Sequence, residues 1–299
     1  MRRTTMFGAL AMMAATSAIL VAPGCNATME GAAKTYVSAM CARMFKCTPV
    51  LVLAFEDQVT CETFYSPEME WMFALPDVDF GADQVQRCAD DMREASCDKY
   101  YSYSMANPDC PMVGTRAEKD ACAAYVQCAS GYCSVAGGAE CGVCAPTAAL
   151  GADCTAASPV CESGSYCGED GKCAAIPVIK EGDACASGWC GNSLRCVDGK
   201  CAAPIPEGGA CTSEMDCDRA NGYACANATK KCTRLKVAAV GEACGDSLTM
   251  CSIDGNCDGQ KCVARPQLGE ACFGNNMHCA VNLMCVDGKC AEQTYPTCD

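Results

Sequence analysis

The sequence predicts small disulfide-rich repeats, built from short β-hairpins with little regular structure, preceded by a small α-helical, disulfide-stapled domain. Three observations predict it. Cysteine supplies 33 of 299 residues, about 11%, above the level that marks a disulfide scaffold in an exported chain. The phrase "CVDGKC" occurs at Cys196–Cys201 and again at Cys285–Cys290, with near-copies "CGEDGKC" at Cys167–Cys173 and "CDGQKC" at Cys257–Cys262. Helical periodicity is confined to the chain before about Cys128.

The first element, residues 1–24, reads as a signal peptide. Arg2 and Arg3 precede an apolar run from Met6 to Ala22, and small residues and a cysteine follow. The ending "LVAPGC" resembles the lipobox of bacterial lipoproteins. That resemblance implies cleavage after Gly24 and diacylglycerol on Cys25, although Ala22 stands where Leu is usual and Pro23 is uncommon. Removing Cys25 leaves 32 cysteines, an even number able to close as 16 bridges. So many thiols require an oxidising compartment. Residues 25–31 read as a lipidated tether. Asn26 follows the anchor, where an Asp would retain some lipoproteins at the inner membrane, so the expected location is the outer membrane, periplasmic or surface-facing.

Residues 32–121 form the expected helical domain. Ala33, Val37, Met40, Met44 and Cys47 recur at spacings of 4, 3, 4 and 3, and Val85, Cys88, Met92 and Ala95 at 3, 4 and 3. Between them "FEDQVTCETFY" reads as a shorter helix, and "SPEMEWMFALPDVDFG" as a loop bracketed by Pro67 and Pro76. Cys41, Cys47, Cys61, Cys88, Cys97 and Cys110 allow up to three bridges.

Residues 122–150 are an irregular unit with Cys122, Cys128, Cys133, Cys141 and Cys144, in which Lys119 stands where the later units carry glycine. Residues 151–299 hold five four-cysteine repeats and a tail. The repeats are Cys154/Cys161/Cys167/Cys173, Cys185/Cys190/Cys196/Cys201, Cys211/Cys217/Cys225/Cys232, Cys244/Cys251/Cys257/Cys262 and Cys272/Cys279/Cys285/Cys290. Their starts lie 31, 26, 33 and 28 residues apart, a period typical of repeat arrays. Gly151, Gly182, Gly208, Gly241 and Gly269 each stand three positions before a first cysteine. The lone Cys298 can restore the irregular unit's parity.

In "CVDGKC", Asp198-Gly199 and Asp287-Gly288 match a two-residue hairpin turn with positive φ at both central positions. Cys196 then faces Cys201 closely enough for a direct cross-strand bridge. Four cysteines allow three connectivities. Pairing first with third and second with fourth is favoured, because it makes each unit one body.

Other chemistry is weaker. "SIDGNCDG" places Asp254 and Asp258 near glycines but lacks the alternating oxygen ligands of a calcium loop, so turn chemistry is expected. "CGVC" at Cys141–Cys144 has dithiol spacing without a thioredoxin-like context. Bridges are expected to win over zinc in an oxidising compartment. His278, the only histidine, has no orienting partners in the sequence that would make it catalytic. Trp71 and Tyr100–Tyr103 are expected in the helical core, whereas Trp189 is a possible contact residue. Loss of Arg2 and Arg3 leaves 20 basic against 36 acidic residues, a balance of −16, so nucleic acid is not an expected partner and membrane attachment rests on the lipid. No cofactor is expected.

Read as G-x-x-C followed by three further cysteines and a "DGKC" ending, residues 122–290 resemble the Dickkopf N-terminal cysteine-rich region as found in bacterial cysteine-rich surface proteins. The resemblance implies a small stapled fold and an extracellular binding style, with a protein or glycan partner open. The expected function is a non-enzymatic, lipid-anchored cell-envelope protein, a structural spacer or a binding or adhesion module. The alternative is a protease inhibitor or enzyme whose active part is the helical region.

Overall fold

The structure, a computed structural model, describes residues 28–298 apart from 49–52, 54, 98–99, 101–109, 138, 155–159, 163, 177–178, 186–189, 191–193 and 273–278. Cys25, Trp189, His278, Tyr101 and Tyr103 lie outside the described residues. Three helices at the N-terminal end precede a series of short two-stranded hairpins. No described helix is long and apolar enough to cross a membrane.

Helix α1 (Met29–Cys47) begins at Thr28, whose hydroxyl accepts a hydrogen bond from the Gly31 N–H, the usual role of Thr at an N-cap. The helix thus takes over the last three residues of the expected tether. Its buried face is the one the spacing picks out: Ala33, Val37, Met44 and Cys47 are buried and Met40 is partly so. Helix α3 (Ala82–Glu94) likewise buries Val85, Cys88 and Met92.

Helix α2 (Gln58–Ala74) corrects the sequence reading. Residues 66–74, expected in a loop, continue the helix through Pro67. An interior Pro costs about 3 kcal/mol through its missing N–H and its clash with the preceding turn. The turn beyond it carries Met72 and Phe73, both buried, and each such side chain returns about 1.5–3 kcal/mol. Phe73 also meets Tyr36 of α1 and Phe80 edge-on, both with ring centroids 5.6 Å apart. Tertiary packing outweighs local propensity here.

Disulfides Cys41–Cys61, Cys47–Cys97 and Cys88–Cys110 staple this head. The regular repeats pair first with third and second with fourth cysteine throughout, from Cys154–Cys167 and Cys161–Cys173 to Cys272–Cys285 and Cys279–Cys290. The irregular unit follows the same rule once Cys141 is set aside: Cys122 bonds Cys133, and Cys128 bonds Cys144. There are therefore six units, numbered here 1 (Cys122–Cys144) to 6 (Cys272–Cys290). Sixteen bridges use every cysteine except Cys25.

The opening phrase is a turn held by these staples. Asp198 and Gly199 have φ of 49° and 78°, Asp287 and Gly288 of 50° and 77°, as a type I′ hairpin requires. In "CDGQKC" the Asp-Gly pair sits one place earlier. There Gly259, at φ 103°, occupies the first central position, which is the type II′ solution. Cys196 and Cys201 are cross-strand partners, yet each bonds a cysteine outside the hairpin, Cys185 and Cys190 respectively. The direct cross-strand bridge is not formed.

The glycine three residues before each first cysteine is explained by its backbone. All five have φ between 78° and 96°, and their N–H groups donate to the carbonyl of the unit's last cysteine, as from Gly151 to Cys173 at 2.7 Å. Lys119 makes the same bond to Cys144 at 2.8 Å, with φ 77°. A side chain is tolerated where the backbone path is held by the rest of the unit.

Unit 1 is fused to the head. Val126 lies in the same core as Phe73 and Val85. Gln127 is fully buried; its amide accepts from the Ala123 N–H at 2.7 Å and donates to the Pro76 carbonyl at 3.1 Å. Gly114 lies against the 3-10 turn Tyr125–Gln127, where a Cβ would stand 2.1 Å from the Gln127 backbone oxygen. At the far end of the chain, Cys298 bonds Cys141, the one bridge that leaves the repeat pattern.

Candidate interaction cleft between the helices and the last repeats

The later units do not extend away from the head. Ile253 of unit 5 is buried with Val37, Met44, Phe55 and Cys61, and Val281 of unit 6 packs against the same cluster. The Asn282 amide donates to the Thr63 carbonyl of α2 at 3.3 Å. The tail then crosses the helices: Tyr295 stacks on Trp71 with centroids 4.9 Å apart and planes 18° from parallel, and the Trp71 indole N–H donates to the Pro296 carbonyl at 3.1 Å. Arg116, which pairs with Asp77 at 2.9 Å, also donates to the Cys298 carbonyl. Trp71 is thus half-buried under the tail as well as within the helical domain.

Between α2 and units 5 and 6 runs a cleft of about 460 Å³, within the size range of small-ligand sites. Phe64, Ile253, Val281 and Leu283 supply apolar wall; Tyr295 stands where the tail crosses; Glu68 and Arg265 bring opposite charges. Phe64 and Glu68 are four residues apart on α2 and so share a face. Arg265 follows the unit 5 hairpin, where its backbone N–H donates to the Asp254 carbonyl at 2.9 Å. The Arg265 Nε is buried without a hydrogen-bond partner among the described residues. Burial lowers the guanidinium's pKa, against the support of Asp254. Burial, with Glu68 nearby, raises the phenols of Tyr295 and Tyr65 and takes Tyr125 to about 12. The cleft thus brings a guanidinium, a carboxyl group and a phenol together between apolar walls, a set suited to holding a ligand.

The residues singled out from sequence are placed elsewhere. Asp198, Gly199, Asp287 and Gly288 are exposed at hairpin tips. Asp258 closes its own turn, accepting from the N–H groups of Gln260 at 2.9 Å and Lys261 at 2.8 Å, which is turn chemistry as expected. Cys141 and Cys144 of "CGVC" belong to different bridges. Sulfurs of three cysteines gather within 4.8 Å in several units, where the two bridges of a unit lie side by side. Glu68, Arg265 and Tyr295 had no local signal: each is an ordinary residue until the chain folds back. No protein family, curated protein or solved structure matches the chain.

Proposed function

We propose that the chain is a non-enzymatic, lipid-anchored binding protein of the bacterial cell envelope, attached through Cys25 to the outer membrane. The observation that carries this reading is the closure of the chain on itself. A spacer separates its ends, whereas here Cys298 is bonded to Cys141 and Tyr295 lies on Trp71 of the head. Closure favours a compact, preorganised surface over a stalk, and preorganisation is what a binding module gains from covalent staples. Sixteen bridges support an exported location. Thr28, the helix cap, follows Cys25 by three residue steps, a reach of about 10 Å at full extension, so the lipid would hold the helical head against the bilayer. The resemblance of the units to the Dickkopf N-terminal region accords with an extracellular binding style.

The test is the intact mass of the protein from native membranes, alkylated without reduction. An acylated chain beginning at Cys25 and free of alkylated thiols is expected. A chain that begins elsewhere without acyl mass, or that takes up several alkyl groups, would overturn this reading.

A further inference from the structure

The cleft combines three features that a merely structural seam does not need. Its walls are apolar; among the described residues its guanidinium has a buried Nε with no hydrogen-bond partner, and its carboxylate, Glu68, forms no ion pair with Arg265 or any other cation. A buried charged donor left unsatisfied is costly, and a carboxylate is the group that best satisfies a guanidinium. An anionic ligand alone would answer Arg265 but set a second negative charge in the same cleft as Glu68. A ligand with both charges and apolar side chains between them answers every wall.

We propose that the cleft binds a short zwitterionic peptide with apolar side chains, its carboxylate against Arg265 and its ammonium against Glu68. This deepens the binding-protein reading and rests on it, but not on the lipid anchor. The volume of about 460 Å³ suits a dipeptide. Tyr295 links occupancy to the tail, because the ring that borders the cleft is the one stacked on Trp71.

The fully bridged mature chain, with Trp189→Phe to leave Trp71 as the one reporter, is titrated with dileucine, its C-terminal amide and its N-acetyl form. Saturable change in Trp71 emission with dileucine is expected, with the amide and the N-acetyl form each weaker by about tenfold or more. Arg265→Gln should abolish the preference for acid over amide, and Glu68→Gln the preference for free amine over N-acetyl. The three peptides on the Trp189→Phe chain decide the matter even where a cleft substitution disturbs folding. Equal binding of all three forms, no saturation at millimolar dileucine, or saturation by decanoate in its place would overturn the proposal. A chain that mass and fractionation show to be anchored and fully bridged, yet that ignores every probe, sinks the cleft alone; an unanchored chain that prefers dileucine sinks the anchor alone.

Discussion

The head and the repeats reach stability by opposite means. The head buries Phe73 and Val85, joined by Val126 of unit 1, in one apolar cluster and Val37 with Met44 and Phe55 in a second. In the repeats the buried cluster is sulfur itself: Cys211, Cys217, Cys225 and Cys232 form the centre of unit 4, and Cys154, Cys161 and Cys173, with Ala148, that of unit 2. A unit of some 20–30 residues cannot bury enough apolar surface to hold its own shape. Each bridge in the regular units closes a separation of only 11–15 residues, and a loop of that size contributes about 3 kcal/mol. One region is stabilised by what it excludes from water, the other by what it forbids the unfolded chain to do.

Reduction should break this comparison most severely. With all bridges opened, the hairpin amides of units 2 and 3 should lose hydrogen-exchange protection altogether, while α1 and α3 keep part of theirs. Persistent protection in the reduced hairpins would mean that sulfur is not their core. The converse is Phe73→Ala, which empties the ring's place between Tyr36 and Phe80 and should cost the head about 3–5 kcal/mol. Denaturant unfolding followed by exchange in the head and in unit 3 checks it; equal loss in both would show one cooperative body.

Much of this division was legible in the sequence, because it rests on short-range regularities. Val85, Cys88 and Met92 announce a buried helix face by spacing alone, and Asp198-Gly199 announces a turn by backbone chemistry. The interleaved pairing followed from asking which connectivity makes a unit one body. What was not legible depends on partners distant in the chain. Pro67 reads as a helix breaker until Phe73 is seen between two other rings. Ile253, Val281 and Tyr295 are unremarkable locally and acquire a role only against the helical head. Parity pointed to a partner for Cys298 without saying that it would be Cys141.

A sharper test of the boundary between the two regions is the double substitution Cys141→Ser with Cys298→Ser. It removes the bridge that closes the tail and should lower stability by about 2–4 kcal/mol, with loss of protection at the tail and a changed Trp71 emission. Units 2 to 6 should keep their own bridges, as a peptide map without reduction would show. Smaller again is Gly241→Ala. Its φ is 96° and a Cβ there would meet nothing within 4 Å, so the cost is that of the left-handed conformation, about 1–2 kcal/mol, read as a lower denaturation midpoint.

The smallest effect is acid titration of the turns. Asp216 accepts from the N–H groups of Thr212 at 2.8 Å and Ser213 at 2.9 Å, and these bonds hold its pKa below the usual carboxylate value of 3.8. A depressed pKa means that its contribution is complete above that value and is lost as pH falls through the folded one. The denaturation midpoint of the native chain should therefore fall more steeply below about pH 4 than that of Asp216→Asn; parallel acid limbs would remove Asp216 from the account.

The Cys141–Cys298 bridge has one more consequence. It closes the chain from Cys141 to Cys298, a sequence separation of 157, into a single covalent ring. A protease that cuts any one peptide bond between those two cysteines adds a water and releases nothing, because both fragments stay joined through the sulfurs. Reduction after the cut separates the pieces; the cut alone does not.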